Sequence, residues 1–244
     1  MARAAISAHG GGAGRDAPES LAAYREAAAD GAQYVEVDIR RTRDGMLVAY
    51  HDERCGPDGR AVAELGYDEL CAQAGYPVPQ VAQVLDVLAG KAAGHLDLKA
   101  PGYEAQAVAL AREAFGPTGF VVTTLEDASV ARVREEFPEV RTALSLGRDL
   151  DGLPPHRRAA ARLSEIFPVR RLQSCGAQWA ALDYRLVYAG VLRRCAAHGF
   201  GTMLWTVDRD ELITRFLTDP RVDVVITDYP ARARMLRDAL GEQA

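Results

Sequence analysis

The chain has 244 residues, 48% of them hydrophobic, with 29 Lys and Arg against 34 Asp and Glu and a formal net charge of −5. That is apolar material for one large core, at close to the length of about 250 residues typical of a (β/α)8 barrel. The mildly acidic balance speaks against nucleic acid as the main partner, because phosphate backbones select basic faces.

Ala4–Ala8 reads as a first strand running into a Gly-rich loop at 10–14. Pro18 falls where a helix begins; Leu21, Tyr24 and Ala28 then recur at helical spacing and Gly31 ends the helix. Tyr34–Arg40 alternates strictly, with Val35, Val37 and Ile39 on one face and Glu36 and Asp38 on the other. Asp44-Gly45 is a turn signal leading into a short strand, Met46–Tyr50. Residues 52–80 carry Pro57, Gly59, Pro77 and Pro79 and form the least regular stretch. A helix over Val81–Leu88 precedes a strand over Gly94–Lys99, where Leu96 and Leu98 oppose Asp97 and Lys99, and a helix over Tyr103–Ala114 follows. Further strands are expected at Phe120–Thr124, Arg141–Leu146, Ala177–Leu182, Met203–Val207 and Val222–Thr227. Helices are expected over 126–136, 158–167, 186–198, 209–218 and 230–239.

Strand and helix in alternation predict a parallel α/β fold. The number of units, and polar residues recurring where strands end (Asp38, His51, Lys99, Thr124, Thr206, Asp228), favour a (β/α)8 TIM barrel over an open sheet. The whole chain, 1–244, reads as one domain. The loop after His9 does not match a dinucleotide fingerprint. Cys55, Cys71, Cys175 and Cys195 form no C-x-x-C pair, so a cysteine zinc site is not expected. The apolar stretch before His9 is too short for a signal peptide's hydrophobic region, and no run is long enough to span a bilayer. A cytoplasmic protein without stable membrane insertion is expected; the oligomeric state is left open.

Glu36 and Asp38 stand two apart on one strand and share a face, which is the barrel interior if the valines pack outward. Carboxylates crowded in an interior repel and are costly to desolvate. A divalent cation is the simplest remedy, and Asp97 supplies a third oxygen ligand from the next parallel strand. An all-oxygen set suits Mg²⁺ or Ca²⁺. Lys99, on the same face, could hold a phosphate oxygen or balance the carboxylates. His9 and His51 follow strands and face the same mouth, where two imidazoles can divide general acid and base work. Singly, each has a plainer explanation: an ion pair of Glu36 with Arg40 or of Asp97 with Lys99, or a satisfied histidine. Their joint placement at strand ends argues for a site.

The order Ala8-His9, Ala17-Pro18-Glu19-Ser20-Leu21, Gly31-Ala32, Glu36-Val37-Asp38, Thr42-Arg43-Asp44-Gly45 and His51-Asp52 resembles the N-terminal signature of the glycerophosphodiester phosphodiesterase family. Asp97-Leu98-Lys99, Trp205-Thr206-Val207 and Ile226-Thr227-Asp228-Tyr229-Pro230 resemble its later strands, so the likeness runs along almost the whole chain. The resemblance implies a TIM barrel binding one divalent cation and hydrolysing small-molecule glycerophosphodiesters to an alcohol and sn-glycerol 3-phosphate. Glu36, Asp38 and Asp97 would hold the metal, His9 and His51 would be the acid–base pair, and Lys99 would contact phosphate. Attack by the glycerol 2-hydroxyl would give a cyclic phosphate that water opens.

Three departures stand out. Gly10 replaces the family's phosphate-binding Arg, for which Arg15 is the candidate substitute. Asp97 replaces a longer Glu. The short segment after His51 implies a reduced or absent cap insertion. Trp205 could stack on a substrate glycerol or belong to the core. Asp228 could accept a hydrogen bond from a histidine or cap a helix, and Glu19 could start a helix or join the site. The competing readings are a phospholipase D-like lyase on lysolipids or sphingolipids, which needs an apolar entrance, and a catalytically degenerate barrel that binds a ligand or partner.

Overall fold

The computed structural model describes residues 4–12, 19–152 and 154–242. Pro18 and Arg15 lie outside them. Eight parallel strands close into a barrel: β1 (Ala5–Ala8), β2 (Tyr34–Arg41), β6 (Ala93–Leu98), β7 (Phe120–Thr124), β8 (Arg141–Leu146), β9 (Trp179–Asp183), β10 (Gly201–Trp205) and β11 (Val224–Thr227). β1 pairs with both β11 and β2, which closes the ring. The helices around it are α1 (Leu21–Ala29), α3 (Val81–Leu88), α4 (Glu104–Phe115), α5 (Asp127–Glu136), α6 (Pro155–Ile166), α7 (Val169–Cys175), α8 (Val191–Ala197), α9 (Asp210–Leu217) and α10 (Pro230–Glu242). None is long and apolar enough to cross a membrane.

The alternation of β2 sets its two faces. Val35, Val37 and Ile39 are fully buried with α3 and α4 side chains such as Leu85, Leu88 and Val108. Glu36 and Asp38 therefore turn inward. The barrel floor is an apolar layer of Val121, Ala143, Ala181, Met203, Val224 and Ile226, with the polar side chains above it.

The short strand after Asp44-Gly45 is one residue shorter at each end than expected, and the turn returns it along β2 as a hairpin. β3 (Leu47–Ala49) is not a barrel stave: it runs antiparallel to the end of β2, with Ile39 opposite Ala49 and Arg41 opposite Leu47. β2 thus projects beyond the mouth and β3 folds back, so Tyr50 N donates to Asp38 O and His51 follows at the level of the carboxylates. The irregular 52–80 stretch is a small excursion. It holds the hairpin β4 (Arg54–Cys55) and β5 (Arg60–Ala61), helix α2 (Tyr67–Ala74) and a core of its own from Val48, Cys55, Val62, Leu65, Leu70 and Val78.

Two further differences have local causes. The helix expected over 186–198 splits into a 3-10 helix, Tyr184–Ala189, and α8, because Gly190 between them adopts φ 77°. Strand expectations at Ala177 and Val222 overrun by two residues, since both are buried apolar residues of the approaching loops.

Tyr103 ties the strands that carry the inward acids. Its buried hydroxyl donates to Ile39 O at 2.6 Å and accepts from Ala100 N at 3.0 Å, bridging the residues that follow Asp38 and Lys99. Tyr103→Phe leaves Ala100 N–H without its partner, while Ile39 O keeps only the Lys99 N–H, and is expected to lower unfolding free energy by about 1–3 kcal/mol. Urea denaturation checks this; an unchanged midpoint would show that the tie carries no stability.

Candidate active site

The C-terminal ends of the strands open into a cavity of about 870 Å3. Its charged corner is built by register. In the parallel pairing of β2 with β6, Glu36 lies opposite His95 and Asp38 opposite Asp97. Ligand oxygens of Glu36, Asp38 and Asp97 come within 4.8 Å of one another, and Glu36 and Asp38 are buried. Lys99 Nζ lies 2.7 Å from Asp38 Oδ1 and 2.6 Å from Asp97 Oδ2.

Charge and burial act against each other here. Burial, helped by the charges of Asp38 and Asp97, pushes Glu36 up to about 8. Burial also penalises the Asp38 anion, but Lys99 and a hydrogen bond from Glu19 outweigh it and hold Asp38 at about 2. Lys99, desolvated but facing Asp97 and Asp38, is raised above its ordinary range.

His9 follows β1. Its Nδ1 lies 2.7 Å from Asp228 Oδ1 and its Nε2 lies 3.6 Å from Glu36 Oε2. An ionised carboxylate only accepts, so Nδ1 carries the proton that Asp228 receives, and Nε2 is the atom turned to the cavity. The Glu36 charge, against the cost of burial and with the Asp228 hydrogen bond, lifts His9 to about 10. Asp228 is held in turn: its N–H donates to Asp208 Oδ1, which also accepts from Thr227 Oγ1.

His51 sits across the mouth and lines the cavity. Its backbone is pinned: N–H donates to Glu19 Oε2 at 3.1 Å, and the carbonyl accepts from Arg40 Nε and Nη2. Its exposed ring is held through Nδ1 by Asp52 at 2.9 Å. Glu19 does not start the helix: Ser20 is the N-cap and Glu19 precedes it with φ 61°. Burial and its bond to Asp38 push Glu19 up to about 8, so it serves as the protonated link between Asp38 and the His51 backbone.

Beneath the acids lies a closed polar chain. Thr123 Oγ1 is 2.6 Å from Asp97 Oδ1 and 3.0 Å from His95 Nε2; His95 Nδ1 is 3.0 Å from Ser7 Oγ. Thr123 has one proton and gives it to Asp97, so it accepts from His95 Nε2–H, and Nδ1 accepts from Ser7. His95 is therefore a neutral, satisfied side chain, and burial holds it down at about 4.

The structure thus brings His9, Glu36, Asp38, His51, Asp97 and Lys99 together. Trp205 lines the cavity and also packs on the floor layer. Gly10, where the resemblance would put Arg, adopts φ 52° and gives only its N–H, 3.3 Å from Glu36 Oε2; Arg15 lies outside the described residues. Sequence reasoning missed Ser7, Thr123 and Asp208. Ser7 had a signal, standing two residues before His9 on the same strand face; Thr123 and Asp208 had none that was local.

The donor set fits a hard divalent cation: three carboxylates, no sulfur ligand, and one carboxylate that burial keeps from ionising without a positive neighbour. Such a site beside a lysine and two histidines suits a phosphoric diester hydrolase, and comparison with known proteins gives that class. The model of the glycerophosphoryl diester phosphodiesterase family matches residues 9–232, and the chain belongs to that family. The protein named "Probable glycerophosphodiester phosphodiesterase 2" from Mycobacterium tuberculosis is 30% identical over 240 residues, covering 91% of this chain and 84% of its own. A glycerophosphodiester phosphodiesterase from Parabacteroides distasonis superposes with a TM-score of 0.77 at 20% identity, over 98% of both chains. An Oleispira antarctica phosphodiesterase, solved in complex with the product sn-glycerol-3-phosphate, gives 0.73 at 17% identity, over 97% of both. At those identities the structural likeness is one of fold.

His95 gives this site a pH signature in stability. Its folded pKa, about 4, lies below the ordinary histidine value of 6.5, so the unfolded chain takes up the proton first. Its contribution is complete above pH 6.5 and is lost as pH falls towards 4, with a slope of up to about 1.4 kcal/mol per pH unit. Denaturant unfolding in EDTA between pH 4 and 7 should show this slope in the wild type and a shallower one in His95→Asn. Equal slopes would assign the acid sensitivity to other groups.

Proposed function

We propose that the protein hydrolyses glycerophosphodiesters to an alcohol and sn-glycerol 3-phosphate with one divalent cation, Mg²⁺ or Ca²⁺, held by Glu36, Asp38 and Asp97. The observation that carries this reading is the convergence of those three carboxylates with His9, His51 and Lys99 at one end of a single cavity. A bound cation would add positive charge beside His9, which disfavours its protonated form, and would stabilise negative charge on the phosphoryl oxygens.

The chain's own groups supply the rest. Lys99, a permanent cation beside Asp38 and Asp97, faces a phosphoryl oxygen. His9, its tautomer fixed by Asp228, presents Nε2, and His51 presents the nitrogen that Asp52 leaves free. Between them they remove a proton from the glycerol 2-hydroxyl as it attacks phosphorus and deliver one to the departing alcohol oxygen. The same two groups, with roles exchanged, activate the water that opens the cyclic phosphate. Trp205 offers a flat face to the glycerol carbons.

Purified protein is incubated with glycerophosphocholine and glycerophosphoethanolamine in Mg²⁺, Ca²⁺ or EDTA, and products are read by ³¹P NMR. The expected result is cation-dependent release of sn-glycerol 3-phosphate. Accumulation of the cyclic phosphate instead would establish a lyase; cation binding without any turnover would establish a binding protein. Glu36→Gln and Asp38→Asn should lose cation affinity. His9→Ala and His51→Ala should keep it while turnover falls by about 10²–10⁴. An active His51→Ala would overturn the acid–base assignment.

Cation binding should also release protons. Burial raises Glu36, so its carboxyl holds a proton more readily than an ordinary acid, and cation and proton compete for the same oxygens. Affinity should therefore rise with pH through the neutral range, with proton release at pH 7 measurable by calorimetry in buffers of different ionisation enthalpy. Binding that is independent of pH between 6 and 8 would exclude Glu36 as a ligand.

A further inference from the structure

The wall of the cavity opposite the acids is built differently. It comes from the loops after β7, β8 and β9 and from α6, with Leu125, Ile166, Leu186 and Ala189 as its apolar part. That apolar surface does not stop at the mouth. Leu163 and Phe167 stand four apart on α6 and its C-cap, hence on one side of the helix, and are 57% and 58% exposed. Tyr188, 66% exposed, stands on the 3-10 helix beside Ala189. Arg194 joins the two elements: its guanidinium lies 4.5 Å over the Phe167 ring, and its Nη1 donates to Ala189 O at 2.6 Å. The result is one continuous lip, apolar from the cavity outward.

The lip is also basic on an acidic protein. α6, the 3-10 helix and α8 carry Arg157, Arg158, Arg162, Arg185, Arg193 and Arg194 against one acid of their own, Glu165, with Arg158 and Arg185 facing the flanking Asp151 and Asp183, whereas the chain as a whole carries −5. Glu165 adds no surface charge, because it is buried and bonded to Arg162 Nη1 and to the N–H groups of Gly147 and Arg148. Arg157 and Arg193 are exposed, without an ion-pair partner among the described residues. Exposed Leu, Phe and Tyr side chains interleaved with arginines combine the two terms of peripheral membrane binding: apolar insertion at the headgroup boundary and attraction to anionic lipid. A polyanion such as nucleic acid would use the arginines but leaves Leu163 and Phe167 unexplained.

We propose that this lip docks on an anionic lipid surface, which sets the open end of the cavity against the headgroup layer. The docking does not depend on the catalytic reading and is tested without turnover. The full chain, in EDTA so that no cation bridges lipid and protein, is sedimented with vesicles of phosphatidylcholine alone or containing one-third phosphatidylglycerol, at 50 and 500 mM salt. The expected result is binding to the anionic vesicles only, weakened by salt. Two variants locate it. Arg157→Glu/Arg193→Glu should bind at least about tenfold more weakly, and Leu163→Ser/Phe167→Ser/Tyr188→Ser should abolish binding at high salt. All of these side chains are exposed, and unchanged thermal unfolding confirms that the variants fold. Absence of wild-type binding at 50 mM salt would overturn the proposal, as would variants that bind like the wild type. So would a dimer in sedimentation velocity that the triple variant dissolves without any vesicle binding, which would make a second copy the occupant, or capture of an oligonucleotide in preference to the vesicles.

Discussion

Three carboxylates held within 4.8 Å of one another inside a barrel are the constraint on which the rest of the molecule turns. Like charges at that spacing in a poorly solvated interior cannot all persist unless cations stand among them. The β2–β6 register creates the problem by setting Asp38 against Asp97. It also supplies part of the remedy, because Lys99, two residues after Asp97, turns its ammonium between the same two acids. Glu36 has His9 at 3.6 Å and the charge of Lys99 to favour its ionised form, and burial with the neighbouring acids still outweighs them and raises its pKa. Demand for one more positive charge is thus built into the backbone pairing, and a hard divalent cation answers it with oxygen ligands alone.

The same constraint explains what lies beneath and around the acids. A cluster of this kind must be fixed, or it relieves its repulsion by moving apart. Tyr103 fixes the strand ends from outside, and the chain Ser7, His95, Thr123, Asp97 fixes one acid from below. A neutral histidine in that chain adds no charge of its own, and burial holds its pKa down at about 4, while His9, two strands away and facing Glu36, is driven in the opposite direction. Two imidazoles in one barrel take opposite protonation states from whether a carboxylate or a hydroxyl meets the ring.

How much of this was legible in the sequence follows from how local each signal was. The acid face of β2 and the Asp-x-Lys of β6 are period-two patterns within single strands, and they place Glu36, Asp38, Asp97 and Lys99 on one face without any knowledge of neighbours. His51 was legible as a residue after a strand, but its route to the mouth was not, because β3 reverses on β2 rather than joining the ring. α2 and α7 escaped because short helices between Pro and Gly signals give too few turns for periodicity to register. The exposed Leu163, Phe167 and Tyr188 on α6, its C-cap and the 3-10 helix after β9 were not legible as a group, because in the sequence they read individually as ordinary helix positions. Glu19 was legible as a helix-start acid, whereas its link to Asp38 and His51 depends on a left-handed backbone that no local pattern announces.

The mouth is consequently divided. One half, from the ends of β1, β2, β6 and β11, carries the acid cluster with Lys99 and the histidines; the other, from the loops after β7 to β9 with α6, carries apolar side chains, arginines, Asp149 and Asp183. The second half has its own anchor in Glu165, whose carboxylate is satisfied by two backbone N–H groups and Arg162. A buried acid with that many donors holds the Gly147–Arg148 turn as firmly as Lys99 holds the acids, and Gly147 itself, at φ 115° with Asp183 packed against it, leaves no room for a side chain. Neither anchor uses a partner of the other. The reacting groups and the wall that would meet the remainder of a substrate are therefore fixed by separate networks, so the shape and polarity of that wall can differ between barrels of this kind without disturbing the balance of charge on which the acid corner depends.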